Sequence, residues 1–301
     1  MKKKNIKRIL TLLIIFSYIL IQLLDSSQSN NLEEEKTIIN EMKPTIVYTN
    51  LTIQYIDVGQ ADSILISNNN RHMLIDAGNN EDGKKLVEYL KGQGIETLDY
   101  LVATHPHEDH IGGMDDIIRN FNVNNIYMPE VYSLTTTFEE VINEIEKKNL
   151  QITIPKINEE ITFGEGVIRF IYSGKDAEDL NKSSIIMKMM FGNTSYLFTG
   201  DTTQEIENKI LISDINVDVL KVAHHGSEYS SSEEFLKRVT PEYAIISVGR
   251  YNDYNHPSLN TLNRISKYTS NIYRTDELGS IIVTSDGKNI IIENLYTDTN
   301  G

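Results

Sequence analysis

The stretch LVATHPHEDHIGGMDD, Leu101–Asp116, decides how this chain is read. Leu101–Thr104 reads as the end of a buried strand. Three histidines and two acids then fall within His105–His110, and two glycines follow. A strand buried on both faces is a run of apolar residues, and its C-terminal end is where an α/β sheet presents ligands. In the extended segment beyond it, His105 and His107 point the same way and can hold one ion. Asp109 and His110 stand at the entry to a helix and can hold a second, and Gly112 and Gly113 let that helix pack close beneath. His and Asp suit Zn²⁺ or Mn²⁺. A solvated histidine-rich loop is the alternative, and the buried strand before it and the glycines behind it weigh against that.

Composition narrows the class of function. The chain has 301 residues, 40% of them apolar, enough for one large α/β domain and a short appendage. With 28 basic and 43 acidic residues its net charge is −15. Non-specific affinity for nucleic acid comes largely from Lys and Arg neutralising phosphates. This balance therefore argues against a general nucleic-acid-coating protein, while leaving open a nuclease whose substrate is held by ions or a local basic patch. There is no cysteine, which excludes disulfides, a cysteine nucleophile, thiolate ligands and lipid modification at cysteine.

The N-terminus reads as a membrane element. MKKKNIKR is basic, and Ile9–Leu24 is an uncharged, mostly apolar run. As a helix it would span roughly 24 Å, between a signal-peptide core and a full membrane span. No alanine-type cleavage site follows. Residues 1–25 are therefore expected to be an uncleaved anchor rather than a cleaved signal, 26–48 a polar tether, and 49–298 the folded domain. The Lys and Arg before the apolar run place the domain outside a bacterial cell membrane, or secreted if the helix is removed.

From Leu51 the pattern predicts strands over LTIQYIDVG, DSILIS and RHMLIDAG. A helix over 83–92 carries Leu86, Val87 and Leu90 on one face, and a threonine caps the helix in TTTFEEVINEIEKKN. A second strand-rich half is expected to begin near Gln151 and to close on a hairpin around Asp286–Gly287. Two successive halves of this kind predict two packed sheets with helices on the outer faces.

THPHEDHIGG resembles the metal-binding signature of the metallo-β-lactamase fold. LIDAG with Asp76, LFTGD with Asp201, and LKVAHHGS with His224 and His225 are similar to its other motifs, in order. Together with DVGQADSILI, AIISVG, NHPS and YRTDELGSI they resemble the ComEC-like branch, the hydrolase domain of competence proteins and free-standing relatives that include phosphorylcholine esterases. The likeness runs from about Leu51 to Leu295. It implies an α/β four-layer αββα sandwich with two divalent ions, Zn²⁺ or Mn²⁺, at one edge. The ligands it implies are His105, His107, Asp109, His110, a bridging Asp201 and His225.

Two departures stand out. Ala61 replaces the glycine usual in DVGQGD and would be strained if that backbone needed a positive φ. No histidine lies between His110 and His224; NKSS, Asn181–Ser184, occupies that place. The ion at His105 and His107 is then expected to be less tightly held.

Adjacent residues of a strand point to opposite sides, so one of His224 and His225 is expected to be a ligand, with His225 favoured. Asp76 is expected to orient a ligand histidine, and Asn181, His224 and Ser227 to support ligands or substrate. His256 is either a loop residue before proline or a proton donor near the site; His72 is structural. The expected function is an extracytoplasmic phosphodiesterase or nuclease that uses a metal-bound hydroxide, with Asp109 and His256 as catalytic residues. Hydrolysis of a phosphorylcholine ester, another ester, a lactam or an amide, and a non-catalytic metal-binding surface module, are the alternatives. The partners expected are a phosphodiester, in nucleic acid or a surface phosphoester, and the membrane; no protein partner is expected.

Overall fold

Alternation along the strands divides the core into three layers. In Arg71–Ile75, Met73 and Ile75 face one side and Leu74 the other; in Ile186–Phe191, Met187, Met189 and Phe191 oppose Ile186. Successive side chains of a strand point to opposite faces, so each sheet here is apolar on both. The computed structural model describes residues 49–176 and 178–295. The anchor and tether expected over 1–48 lie outside the described residues. Among the described residues no helix is long and apolar enough to cross a membrane.

The first sheet has the strand order Ile290–Leu295, Ser280–Ser285, Leu51–Tyr55, Ile64–Asn68, Arg71–Ile75, Tyr100–Val102, Ile126–Tyr127, Ile152–Thr153. The second runs Asn271–Arg274, Tyr243–Ile246, Val219–Lys221, Thr194–Phe198, Ile186–Phe191, Gly166–Tyr172, Glu160–Phe163. Tyr55, Phe170, Met187 and Phe198 belong to the apolar layer between the sheets. On the outer face of the first, Leu65, Leu74 and Leu101 meet the helices Gly83–Gly92, Met114–Asn120 and Thr136–Lys147. On the outer face of the second, Leu197, Leu220 and Ile246 meet Gln204–Ile210, Glu233–Val239 and Leu259–Ile265. The result is four layers, helices, sheet, sheet, helices. Thr135 caps its helix through its side chain, which accepts from the Phe138 N–H.

The two halves are not strictly successive. Ile152–Thr153 is the edge of the first sheet, so the second begins at Glu160 rather than near Gln151. The closing hairpin returns to the first sheet, where Ser280–Ser285 pairs antiparallel with Leu51–Tyr55. Pairing partners so distant in sequence leave no mark on local periodicity.

What matters for function is strand direction. Arg71–Ile75 and Tyr100–Val102 are parallel, as are Thr194–Phe198, Val219–Lys221 and Tyr243–Ile246. Asp76, His105, Asp201, His224 and Ser247 lie just beyond the C-terminal ends of these strands, where open α/β sheets form their binding crevices.

Candidate metal centre

The Asp201 carboxylate, buried just past the end of Thr194–Phe198, is the hub of the cluster. Its Oδ2 lies 3.3 Å from His110 Nε2, 3.6 Å from His224 Nε2 and 3.6 Å from His225 Nε2. Asp109 Oδ2 lies 3.3 Å from His225 Nε2 and 3.7 Å from His110 Nε2. One ligand atom from each of Asp109, His110, Asp201 and His225 falls within 4.8 Å of the others. Bonds of about 2.0–2.2 Å to a tetrahedral ion put neighbouring ligand atoms about 3.3–3.6 Å apart. The four donors are already near that spacing.

The histidines are oriented from behind. His110 Nδ1 is 2.8 Å from Asp76 Oδ2, and Asp76 also accepts from the Thr104 N–H at 2.8 Å and its hydroxyl at 2.7 Å. His225 Nδ1 is 2.9 Å from the Ser247 carbonyl. A carboxylate or carbonyl on Nδ1 selects the tautomer that leaves Nε2 free to ligate. His110 Nε2 and Asp201 Oδ1 are buried with no hydrogen-bond partner, which leaves both available as ligands that would satisfy them. These residues fit such an ion. Asp76→Ala removes the orienting carboxylate and is expected to weaken binding of a divalent ion about 10–100-fold, read by calorimetric titration.

His105 is fully buried, its Nε2 2.9 Å from His107 Nδ1, and His107 reaches the cavity wall. The structure brings this pair beside His110, with ring centroids of His105 and His110 4.1 Å apart. At NKSS a 3₁₀ turn, Leu180–Ser183, places Asn181 on the cavity wall, and Ser184 Oγ accepts from the Asp201 N–H at 3.2 Å.

Electrostatics follow from this crowding. Burial alone would lower His110, but Asp201, Asp109 and Asp76 outweigh it and hold it well above its usual value. Burial likewise opposes protonation of His225, while Asp201, Asp109 and Asp62 raise it overall. Burial disfavours ionised Asp109 and Asp201, yet the surrounding imidazoles hold both below the usual carboxylate range. His105, buried and beside His110, is pushed far down and is neutral at neutral pH.

Two expectations are corrected, and the condition attached to Ala61 is not met. His224 and His225 are not on alternating sides of a strand: both adopt left-handed backbone, φ 51° each, so both imidazoles face Asp201. Ser227 does not line the cavity; it is buried, and its hydroxyl accepts from the Tyr229 N–H within its own loop. Ala61 is buried without a positive φ; the left-handed residue of that loop is Gly59, φ 72°, so the substitution carries no strain. The cavity, about 810 Å³, is lined by Gln60, Asn79, Asn80, Glu81, Asp109, Asn181, Asp201, His224, Tyr254 and His256 among others. His256 thus sits on its wall, in the loop before a cis proline, with its ring centroid 5.7 Å from that of His224. His72 is remote, its Nδ1 on Ser67 Oγ.

The superfamily model for metallo-β-lactamases matches residues 56–250, which span every residue of this cluster. The chain belongs to the metallo-β-lactamase superfamily. Within it the chain is similar in sequence to competence proteins. It is 30% identical over 252 residues to ComE operon protein 3 of Bacillus subtilis, an alignment covering 76% of this chain and 32% of that protein. It is 28% identical to recombination protein 2 of Haemophilus influenzae (77% and 28%) and 30% identical to competence protein ComA of Neisseria gonorrhoeae (75% and 31%). The chain thus aligns with about a third of the length of these relatives. Two of the solved structures that share the fold illustrate it. The metallo-β-lactamase-fold protein YhfI of Bacillus subtilis has a TM-score of 0.53 at 14% identity, covering 75% of this chain and 96% of that one. CmlA, a diiron β-hydroxylase of Streptomyces venezuelae, has a TM-score of 0.52 at 14% identity, covering 84% and 55%.

Two residues beside the centre, Asp62 in DVGQADSILI and Lys221 in LKVAHHGS, lie within the motifs but had no role assigned from the sequence. The signal was present. Lys221 interrupts the apolar strand VDVLKVA, and a lysine there demands a buried partner.

Proposed function

We propose that this domain is a metal-dependent phosphodiesterase acting outside the bacterial cell, tethered by the N-terminal segment. The observation that carries the reading is the set of oriented donors around Asp201, with unpartnered His110 Nε2 and Asp201 Oδ1, on a cavity large enough for a small diester. Two divalent ions there would supply Lewis acidity toward a phosphoryl oxygen and lower the pKa of water. Among the described residues lining the cavity there is no Lys or Arg. Neutralisation of a phosphodiester at this wall therefore falls to the ions, which suits a chain of net charge −15. The similarity to competence proteins supports a nucleic-acid diester as substrate.

The chain's own residues supply the rest. Asp109, Asp201, His110 and His225 hold the centre, with His105 and His107 beside it. Asn181 offers a buried side-chain oxygen without a partner. Burial, then His224 and His225, push His256 down to about 4. It is neutral at neutral pH, and so acts by accepting or relaying a proton at the cavity wall rather than as a standing imidazolium.

The test uses the protein loaded with Mn²⁺ or Zn²⁺ and the chromogenic diester bis(p-nitrophenyl) phosphate. Hydrolysis abolished by a chelator and by Asp109→Ala is the expected result. Hydrolysis of a lactam, thioester or choline ester in place of the diester would overturn the phosphodiesterase reading, and activity untouched by Asp109→Ala would overturn the assignment of the site. His256→Ala is expected to lower kcat about 100-fold while leaving bound metal unchanged, checked by elemental analysis of the same preparation.

A further inference from the structure

Asp62 and Lys221 form an ion pair, Nζ to Oδ2 2.7 Å, with both side chains at most 2% exposed. The two residues come from different sheets. Lys221 ends the strand Val219–Lys221 three residues before His224, and Asp62 lies between the strands Leu51–Tyr55 and Ile64–Asn68. Asp62 is also tied by its backbone. Its N–H donates to the Asp109 carbonyl at 3.1 Å, and its own carbonyl accepts from the Gly78 N–H at 2.9 Å. Lys221 Nζ makes a second bond, to the Val222 carbonyl at 3.0 Å.

The pair therefore touches both halves of the centre. Asp62 Oδ1 is 3.6 Å from His225 Nδ1, and Oδ2 is 4.0 Å from His110 Nδ1. Asp62, Asp76 and His110 present a second cluster of donors behind the first, and the Lys221 ammonium is paired with one of them, Asp62. A buried ion pair is a poor device for stability alone, because well-packed apolar residues of similar volume often do as well or better.

We propose that the Asp62–Lys221 pair is a positioning device for the metal centre. It joins the half-site of Asp109 and His110 to that of Asp201 and His225. It also engages the Asp62 carboxylate, so that the His225 ring N–H stays on the Ser247 carbonyl. The proposal rests on the metal-centre reading above.

The experiment compares the full chain with Lys221→Met, and with Asp62→Asn combined with Lys221→Met, by calorimetric titration with Mn²⁺ and by thermal unfolding in chelator. The single variant, which leaves a bare carboxylate beside two ligand histidines, is expected to bind Mn²⁺ about 100-fold more weakly; the double variant, with no orphan charge, about 10-fold more weakly. The visible absorption of the Co²⁺-loaded protein, which reads ligand geometry, is expected to shift in both. Wild-type affinity and an unshifted spectrum in Lys221→Met, however far its melting temperature falls, would show a structural role only and overturn the proposal. So would a double variant as weak as the single one. If the single variant does not fold, the double variant decides: wild-type affinity there overturns the proposal. Wild-type protein that binds neither Mn²⁺ nor Zn²⁺ would overturn the metal centre itself, and this proposal with it.

Discussion

Asp201→Ala is expected to lower turnover of a phosphodiester by about 1,000-fold or more, equivalent to about 4 kcal/mol of transition-state stabilisation. The size follows from position. Asp201 Oδ2 is the atom that three imidazole Nε2 atoms approach within 3.3–3.6 Å. No neighbouring carboxylate can take its place: Asp109 reaches the cluster from the other sheet, and Asp76 and Asp62 lie on the Nδ1 side of the rings. Elemental analysis of the purified variant should show loss of bound metal in parallel with activity. Metal retained at wild-type stoichiometry with activity intact would remove Asp201 from the centre.

The second large effect is on stability. Binding of a divalent ion at about 1,000 times its dissociation constant is expected to stabilise the fold by about 4 kcal/mol, all of it removed by a chelator. Its pH dependence has a definite sign. In the metal-free protein His110 and His225 are raised above their usual value of 6.5. Their contribution to stability is complete below about pH 6.5 and is lost as the pH rises through the raised values. An ion must displace those protons, so its affinity rises across the same window and protons are released on binding. The melting temperature of chelated protein should therefore fall above pH 6.5 while the gain on adding Mn²⁺ grows. Calorimetry in buffers of different ionisation enthalpy would detect the released protons; heats independent of buffer would contradict the protonation assigned to His110 and His225.

The C-terminal hairpin, the His224–His225 turn and the Asp62–Lys221 pair show where reading the sequence stopped. The hairpin was legible as two strands around Asp286–Gly287, but not as partners of Leu51–Tyr55, because pairing across more than 200 residues has no local signature. The histidine pair was legible as functional, but the rule of alternation assigned its two rings to opposite sides. The backbone turns left-handed there, a conformation non-glycine residues seldom adopt and one that local propensity does not signal. Lys221 is a charge inside an otherwise mostly apolar strand that the sequence reading passed over, and its partner lies 159 positions away in a loop of the other sheet.

By itself the sequence determined the identity of the donors and the alternation that makes each sheet apolar on both faces. Both are encoded in residue type and short spacing: HPHEDH after a buried strand, a carboxylate after YLFTG, two histidines after VLKVA. Only the tertiary structure decided which donors lie close enough to share an ion. That depends on parallel strand ends from two sheets meeting at one edge, on Asp76 and the Ser247 carbonyl selecting the nitrogen each ring presents, and on a buried ion pair spanning the two half-sites. Those distances are set by packing across the sandwich, which no segment of the chain specifies alone.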